Sequence, residues 1–504
     1  MCSLPFLTLN VSKFGRFEEQ LQLALSTVRT LRNTTVAAIN RFPQEVLALI
    51  PTHLDPKTPR NTLNASHVCR YWRTAFVSFP TIWTAIDSTC MTPPLMQLYL
   101  DRSRMLPLDI TLGTKTRAHV LQQFVDRAPQ IRLLSFEMMP RSRWMALSER
   151  FSISALPALL GLWISVNTQA ESGAPAPDPA LFPHAFNLRH LSIDIFGPTG
   201  PIWSHIAFPS LTSIHIDFRG GYLRREFPAA PAPPIAMLDW LLDVFLSSPL
   251  LEDVHLAFRT LVTGREDTHR PVTLPRLQKF YISCSPTPVP LLMSITFPPT
   301  ARILARTNVE NLPIRDEMLS LGQHLSPLVS GSNELSFYVS ETSALFTLHF
   351  KRDGETRVDF QYYGTYYCIL LGQVLAFVTA CPLDAVRRFG IGGRRVEREV
   401  TNDQVSGVMR NLINVETLTL KNSTHLLHLL LPVIQDGPPP CPRLKTLRMD
   451  GDQEVPHQEF VQVARARAEA GFPLQRVVLG TESFKKVASE LRQFVEDVGV
   501  WEDL

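Results

Sequence analysis

Three short stretches carry residue types that could do chemistry. Residues 387–398 read RRFGIGGRRVER, five arginines and three glycines in twelve positions. Guanidinium groups bind phosphate and carboxylate bidentately, so Arg387, Arg388, Arg394, Arg395 and Arg398 could form an anion site for phosphate or an acidic degron. The other reading is a strand carrying Phe389 and Ile391, with the glycines in its exit turn and the arginines solvated. A nucleotide fingerprint needs G-x-G-x-x-G opening a helix, and Gly390, Gly392 and Gly393 lack that spacing, which favours the strand. His425 and His428 lie three apart in a helical pattern, but no third ligand accompanies them at a recognisable spacing. MDGDQE, residues 449–454, lacks the later ligands of a calcium loop and reads as a strand-ending turn.

The remaining chemistry-bearing residues point away from catalysis. The seven cysteines are scattered, and none forms a C-x-x-C pair. Neither a disulfide framework nor a thiolate metal site is indicated; several lie in apolar stretches, where a reduced Cys acts as a small hydrophobe. No G-x-S-x-G, phosphate-binding loop, H-E-x-x-H or Cys–His–Asp arrangement stands out. A hydrolase or nucleotide enzyme therefore has no supporting constellation. The expectation is a protein that is not an enzyme, with no metal and no cofactor.

Composition bounds the partners. With 504 residues, 45% hydrophobic and 19% charged, the chain has the makings of an ordered globular protein. Its net charge of +3 is small for this length and by itself provides no polyanion-binding surface. Tryptophans and tyrosines are not interleaved with basic residues, so no nucleic acid partner is expected. No run of 18 or more apolar residues suggests a membrane span, and the first residues lack the basic region and cleavage site of a secretory signal. The expected compartment is the cytoplasm, the nucleus or both.

The elements that must position any site fall into two textures. Phe14, Phe17, Leu21, Ala24, Val28 and Leu31 recur at spacing 3-4-3-4-3, predicting one N-terminal helix with an apolar stripe, packed on its own protein or paired as a short coiled coil. INRFPQEVLALIPTHL, residues 39–54, then places Pro43 where a helix starts and Val46, Leu47, Ile50 and Leu54 at helical spacing. Pro51 should end that helix near Ile50. Thr58-Pro59 restarts the chain, and Val68, Cys69, Trp72 and Phe76 predict a second helical stripe before Ile82 and Trp83 close the unit. About fifty residues cannot bury two such faces alone.

Beyond about residue 100, segments of the form L-x-x-L-x-L/I recur. They begin at Leu159, Leu188, Leu211, Leu251, Leu277, Val386, Val415, Leu444 and Leu474. Their last apolar positions are Ile164, Ile193, Ile216, Leu256, Ile282, Ile391, Leu420, Met449 and Leu479, and the final intervals are 29, 29 and 30 residues. Such a period marks a stacked solenoid, one short strand per repeat with a helix crossing back, as in residues 423–434 and 457–470. The last two apolar positions alternate, so both face the core. Residues 296–380 break the period and alternate like antiparallel strands, with a turn at Asp353-Gly354. A helical stripe over 484–498 reads as a cap. The fold class is α/β: a small helical head followed by a strand-helix solenoid. The predicted division is an N-terminal helix over 1–37, a head over 38–87 and a repeat body over 88–504.

The head, INRFPQEVLALIPTHL with HVCRYWRTAF and PTIW, resembles the F-box. Phe42, Pro43, Glu45, Val46, Leu47, Val68, Cys69, Trp72, Arg73 and Trp83 occupy positions matching the family's pattern. Pro51 departs from it, since the family continues an apolar helix there. The layout, an early F-box before degenerate leucine-rich repeats, is similar to the expanded F-box families of mushroom-forming (basidiomycete) fungi. The resemblance implies a substrate-recognition subunit of an SCF-type cullin–RING ubiquitin ligase. Its head would dock on the S-phase-kinase-associated adaptor of the cullin complex, and its body would hold a protein substrate. By that analogy Phe42, Pro43, Val46, Leu47, Ile50, Leu54, Val68, Cys69 and Trp72 form or support the adaptor interface, as a cluster of apolar anchors does at a binding hot spot. The rival reading is a leucine-rich-repeat scaffold whose F-box-like head engages no ligase.

Overall fold

The first leucine of each L-x-x-L-x-L segment closes a turn, and the other two start a strand. In a computed structural model of the chain, the amides of Leu188, Leu211, Leu251, Leu277, Val386, Val415 and Leu444 each donate to the carbonyl three residues earlier. All seven of these side chains are buried. The structure describes residues 6–36, 38–50, 59–114, 116–152, 155–167, 185–196, 207–218, 237–258, 271–284, 288–308, 315–339, 345–363, 367–393, 402–431, 439–450 and 457–501. Contacts divide the chain into two units, Met1–Val166 and Asn167–Leu504.

The first unit opens with helices: α1 (Phe6–Val36), α2 (Gln44–Leu49), α3 (Pro59–Ser66) and α4 (Arg70–Ser78), then a 3-10 turn over Pro80–Trp83. Strands β1 (Ala85–Asp87), β2 (Leu108–Gly113), β3 (Ile131–Pro140) and β4 (Gly161–Asn167) follow, with β1–β2 and β2–β3 parallel. Helices Pro93–Ser103, Ala118–Asp126 and Arg141–Ser152 make the return crossings. Trp83 of the 3-10 turn packs edge-on against Tyr99 of the helix Pro93–Ser103, with centroids 4.9 Å apart, so the turn and the first return helix share a core.

The second unit is a stack of mostly parallel strands. It comprises β5 (His190–Phe196), β6 (Ser213–Phe218), β7 (Asp253–Phe258), the short β8 (Val272–Thr273), β9 (Lys279–Cys284), the short β10 (Ile295–Thr296) and β11 (Arg302–Asn308). Then come β12 (Glu334–Val339), β13 (Leu345–Arg352), β14 (Glu355–Tyr363), β15 (Arg388–Gly392), β16 (Thr417–Lys421), β17 (Thr446–Asp450), β18 (Arg476–Leu479) and β19 (Asp497–Val500). The pairings run β5-β6-β7-β9-β11-β14-β13-β12-β15-β16-β17-β18-β19. The unit is a mixed α/β, leucine-rich-repeat-like solenoid.

Register shows why the periodicity works. Ile193, Ile216, Leu256 and Ile282 are cross-strand partners in sequence, and so are Ile391, Leu420 and Met449. Ala305, Phe360, Leu348 and Phe337 bridge the two groups in the same row. Every member of that row is buried. Burying one such aliphatic or aromatic side chain is worth roughly 1.5–3 kcal/mol, which no single repeat could secure alone. A backbone pattern accompanies the side-chain row. The carbonyl of Arg189 accepts from the amides of Thr212 and Ser213, that of Thr212 from Glu252 and Asp253, and that of Glu252 from Gln278 and Lys279. The same pairing recurs from Arg387 through Glu416 to Lys445.

The strands β11 to β14, within the stretch 296–380, stay in this sheet. Among the described strands only β13 runs antiparallel; β12 and β14 keep the direction of their outer neighbours β15 and β11. The β13–β14 turn sits where the alternation predicts, with Asp353 and Gly354 at φ of +53° and +82°, the left-handed pair a tight hairpin needs. The expected C-terminal cap differs. The helix spans Thr481–Leu491 and stops, and Val498 lies in β19 opposite Val477. The reason is backbone satisfaction: β19 pairs the edge of β18, and the Trp501 amide donates to the Leu479 carbonyl at 2.7 Å. The helix expected within 423–434 is a 3-10 helix, Thr424–Leu430. Among the described residues no helix is long and apolar enough to cross a membrane.

Candidate functional site

Between residues 38 and 87, the breaks between helices separate buried from exposed apolar residues. Pro43 is the N-cap of α2, and its carbonyl accepts from the amides of Val46 and Leu47 at 3.1 and 3.2 Å. The helix ends at Leu49 with Ile50 as C-cap, as a proline at position 51 predicts. The second apolar stripe is not one helix. The chain breaks after Ser66, Cys69 caps α4, and α4 starts at Arg70. Val68 therefore falls off the stripe and is 61% exposed, whereas Trp72 and Phe76 stay on it and are buried, their rings stacked with centroids 5.7 Å apart.

This sorts the residues named from sequence. Leu47 and Trp72 are core; they can support a surface but not form one. Phe42, Val46 and Val68 keep 50%, 42% and 61% of their surface exposed, and Pro43 is exposed too. Ile50 and Cys69 are half-buried. Leu54 and Pro51 lie outside the described residues. Leu49, 57% exposed, joins the exposed set and was missed by sequence; its place three residues after Val46 on α2 was the available signal. The two halves of the motif meet through Tyr71, whose hydroxyl donates to the Phe42 carbonyl at 2.8 Å. That bond sets the start of α2 beside the start of α4.

The arginine-rich stretch resolves in part. Phe389 and Ile391 are buried strand residues of β15. Gly390 makes room for Tyr338 on the neighbouring strand, since a Cβ there would lie 2.9 Å from the Tyr338 hydroxyl. Gly393, at φ of +129°, turns the chain out of the strand. The Arg387 Nη1 donates to the carbonyls of Asp384 and Asn414 at 3.3 and 3.4 Å, and Arg388 lies 3.8 Å from the Glu334 carboxylate. Arg394, Arg395 and Arg398 lie outside the described residues, as does the side chain of His425; His428 is exposed. Asp-Gly-Asp-Gln-Glu of the MDGDQE stretch falls outside them from Gly451 onward.

The second unit holds a group the sequence reading passed over. On the sheet face opposite the buried row, His215, His255 and Tyr281 are cross-strand partners. Their rings stack at 4.2 and 4.1 Å between centroids, each pair tilted by 31°. The Arg306 guanidinium continues the line 5.5 Å from the Tyr281 ring and donates to the Gln361 Oε1 at 2.7 Å. At the far end the His215 Nε2 lies 3.5 Å from the Asp194 carboxylate. The signal was in the repeats. The residue before each last apolar position reads Ser192, His215, His255 and Tyr281, one column of the aligned segments. A planar, half-buried row of this kind offers stacking and hydrogen bonding rather than bond-breaking chemistry.

Buried thiols follow the same logic. Burial pushes the Cys284 and Cys441 thiols up to about 12, and raises that of Cys381 further, which holds all three protonated and inert.

No family model matches the chain, and no curated protein matches it. Two solved structures share distant likeness. The leucine-rich repeat-containing protein LegL7 from Legionella pneumophila is 11% identical with a TM-score of 0.25, covering 70% of this chain and 86% of that one. The Rad7 and Elc1 complex in yeast contains a chain 12% identical with a TM-score of 0.23, covering 90% of this chain and 94% of that one.

Proposed function

We propose that the chain is the substrate-recognition subunit of an SCF-type cullin–RING ubiquitin ligase, with no catalytic group of its own. The helical head would dock on the adaptor, and the repeat unit would hold a protein substrate close to the ubiquitin donor, so that rate comes from proximity. The observation carrying this reading is the division within the F-box-like motif. Leu47 and Trp72 fill the core, while Phe42, Val46 and Leu49 at and before α2 and Val68 in the break before α4 remain exposed. Apolar side chains clustered at a surface, unlike singly scattered ones, are what an interface presents. A ligase subunit of this kind would work in the cytoplasm or nucleus.

The test is co-purification of the full chain with the cullin adaptor. A Phe42→Asp, Val46→Asp double variant removes surface contacts and leaves Leu47 and Trp72 in place, so its circular dichroism should match wild type. Wild type is expected to co-elute with the adaptor and the variant to lose it. Absence of binding by wild type overturns the ligase reading. Equal binding by both overturns the assignment of these residues to the interface.

A further inference from the structure

The register of β5 against β6 sets two carboxylates face to face. Asp194 stands directly opposite Asp217, and Ser192 opposite His215. Like charges at directly opposed positions of a sheet repel. One donor atom from each of Asp194, His215 and Asp217 lies within 4.8 Å of the other two, and the His215 Nε2 is 3.5 Å from Asp194 Oδ1. Ligand bonds of about 2.0–2.2 Å place neighbouring donors around a metal roughly 3–3.5 Å apart, so a small closure of the three side chains completes the geometry. The imidazole is already oriented. Its stacking on His255, which is itself stacked on Tyr281, sets the ring plane with Nε2 turned toward the carboxylate.

We propose that Asp194, His215 and Asp217 form a binding site for a divalent first-row transition ion of the Zn²⁺ class. The donor set chooses the class: an imidazole with two carboxylates suits Zn²⁺, Co²⁺ or Mn²⁺, whereas Ca²⁺ and Mg²⁺ prefer oxygen alone. A dication replaces the repulsion between the carboxylates with attraction to both. Asp194 and His215 each keep 38% of their side-chain surface exposed, so the ion retains open positions for water or for a donor from a bound protein. The site lies wholly on the second unit, and the ligase reading can fail without affecting it.

The untagged full chain, stripped with EDTA and dialysed, is titrated with ZnCl₂ by calorimetry and with CoCl₂ by visible absorption. Saturable binding of one ion is expected. His215→Gln and Asp217→Asn should each weaken it tenfold or more. His428→Gln, at an exposed histidine elsewhere in the unit, should leave it unchanged. Asp194→Asn removes one of the opposed charges, so it should fold at least as well as wild type and still lose the ion. Absence of Zn²⁺ and Co²⁺ binding in wild type overturns the proposal. Binding that persists in His215→Gln and Asp194→Asn overturns it as well.

Discussion

Trp83 donates its indole Nε1–H to the carbonyl oxygen of Phe76 at 2.9 Å, inside the core of the first unit. Phe76 ends the buried face of α4, and Trp83 closes the 3-10 turn that follows, so this bond ties the end of one element to the end of the next. The Arg102 guanidinium lies over the same indole at 4.4 Å, which joins the helical segment to the first strand-helix crossing.

Trp83→Phe keeps most of the ring and removes the donor. The Phe76 carbonyl is then left dry, at a cost of about 2 kcal/mol. For a unit of this size the melting midpoint should fall by roughly 4–8 °C. Hydrogen-exchange mass spectrometry on the full chain should locate the lost protection in residues 70–103. An unchanged midpoint would mean that the carbonyl has found another donor.

Arg467 is a fully buried cation of the second unit. Its Nη1 donates to the Pro440 carbonyl at 3.0 Å and its Nη2 to that of Cys441 at 3.0 Å, with Leu430 at 3.5 Å. Burial holds its pKa below the ordinary guanidinium value. Buried ion pairs can often be replaced by hydrophobes without loss, but here the partners are backbone carbonyls that remain when the arginine goes. Arg467→Met is therefore expected to destabilise by about 2–4 kcal/mol, and Arg467→Ala by more, because it adds a cavity. Denaturant titration of the two variants checks the order. A methionine variant as stable as wild type would show that the carbonyls need no donor.

Cys90 is exposed, yet its thiol is pushed up to about 11. Partial burial is the main cause, and the neighbouring Asp87 carboxylate adds to it. Because only the thiolate reacts, alkylation of Cys90 at pH 8 should be slow and should rise about tenfold per pH unit until the pH nears 11. Asp87→Asn removes the negative charge, lowers the thiol's pKa and should speed labelling at fixed pH. Peptide mass spectrometry after timed iodoacetamide treatment reads both effects. Rapid labelling of wild type at pH 8 would contradict the assignment.

The repeat body was legible because its physics is local. Leu188, Leu191 and Ile193 sit at spacings that place one residue in a turn and two on the same face of a strand, and each strand needs only its neighbour to be covered. The sequence determined Ile193, Ile216, Leu256, Ile282, Ile391, Leu420 and Met449 of the buried row, the spacing between them and the Asp353-Gly354 hairpin. It did not reveal that β14 lies beside β11 while β12 lies beside β15, because β12, β13 and β14 fold back on themselves and reverse their order in the sheet. Ala305, the row's member on β11, is also too small to announce itself as a repeat position. In the head, Val68 and Trp72 fit the same helical stripe on paper. The break after Ser66 separates them, exposing one and burying the other. His215 and Asp194 lie far apart in the chain and meet only through the β5–β6 register. Periodicity decides which side chains are buried; which exposed ones face each other depends on pairing, and only the tertiary structure decides that.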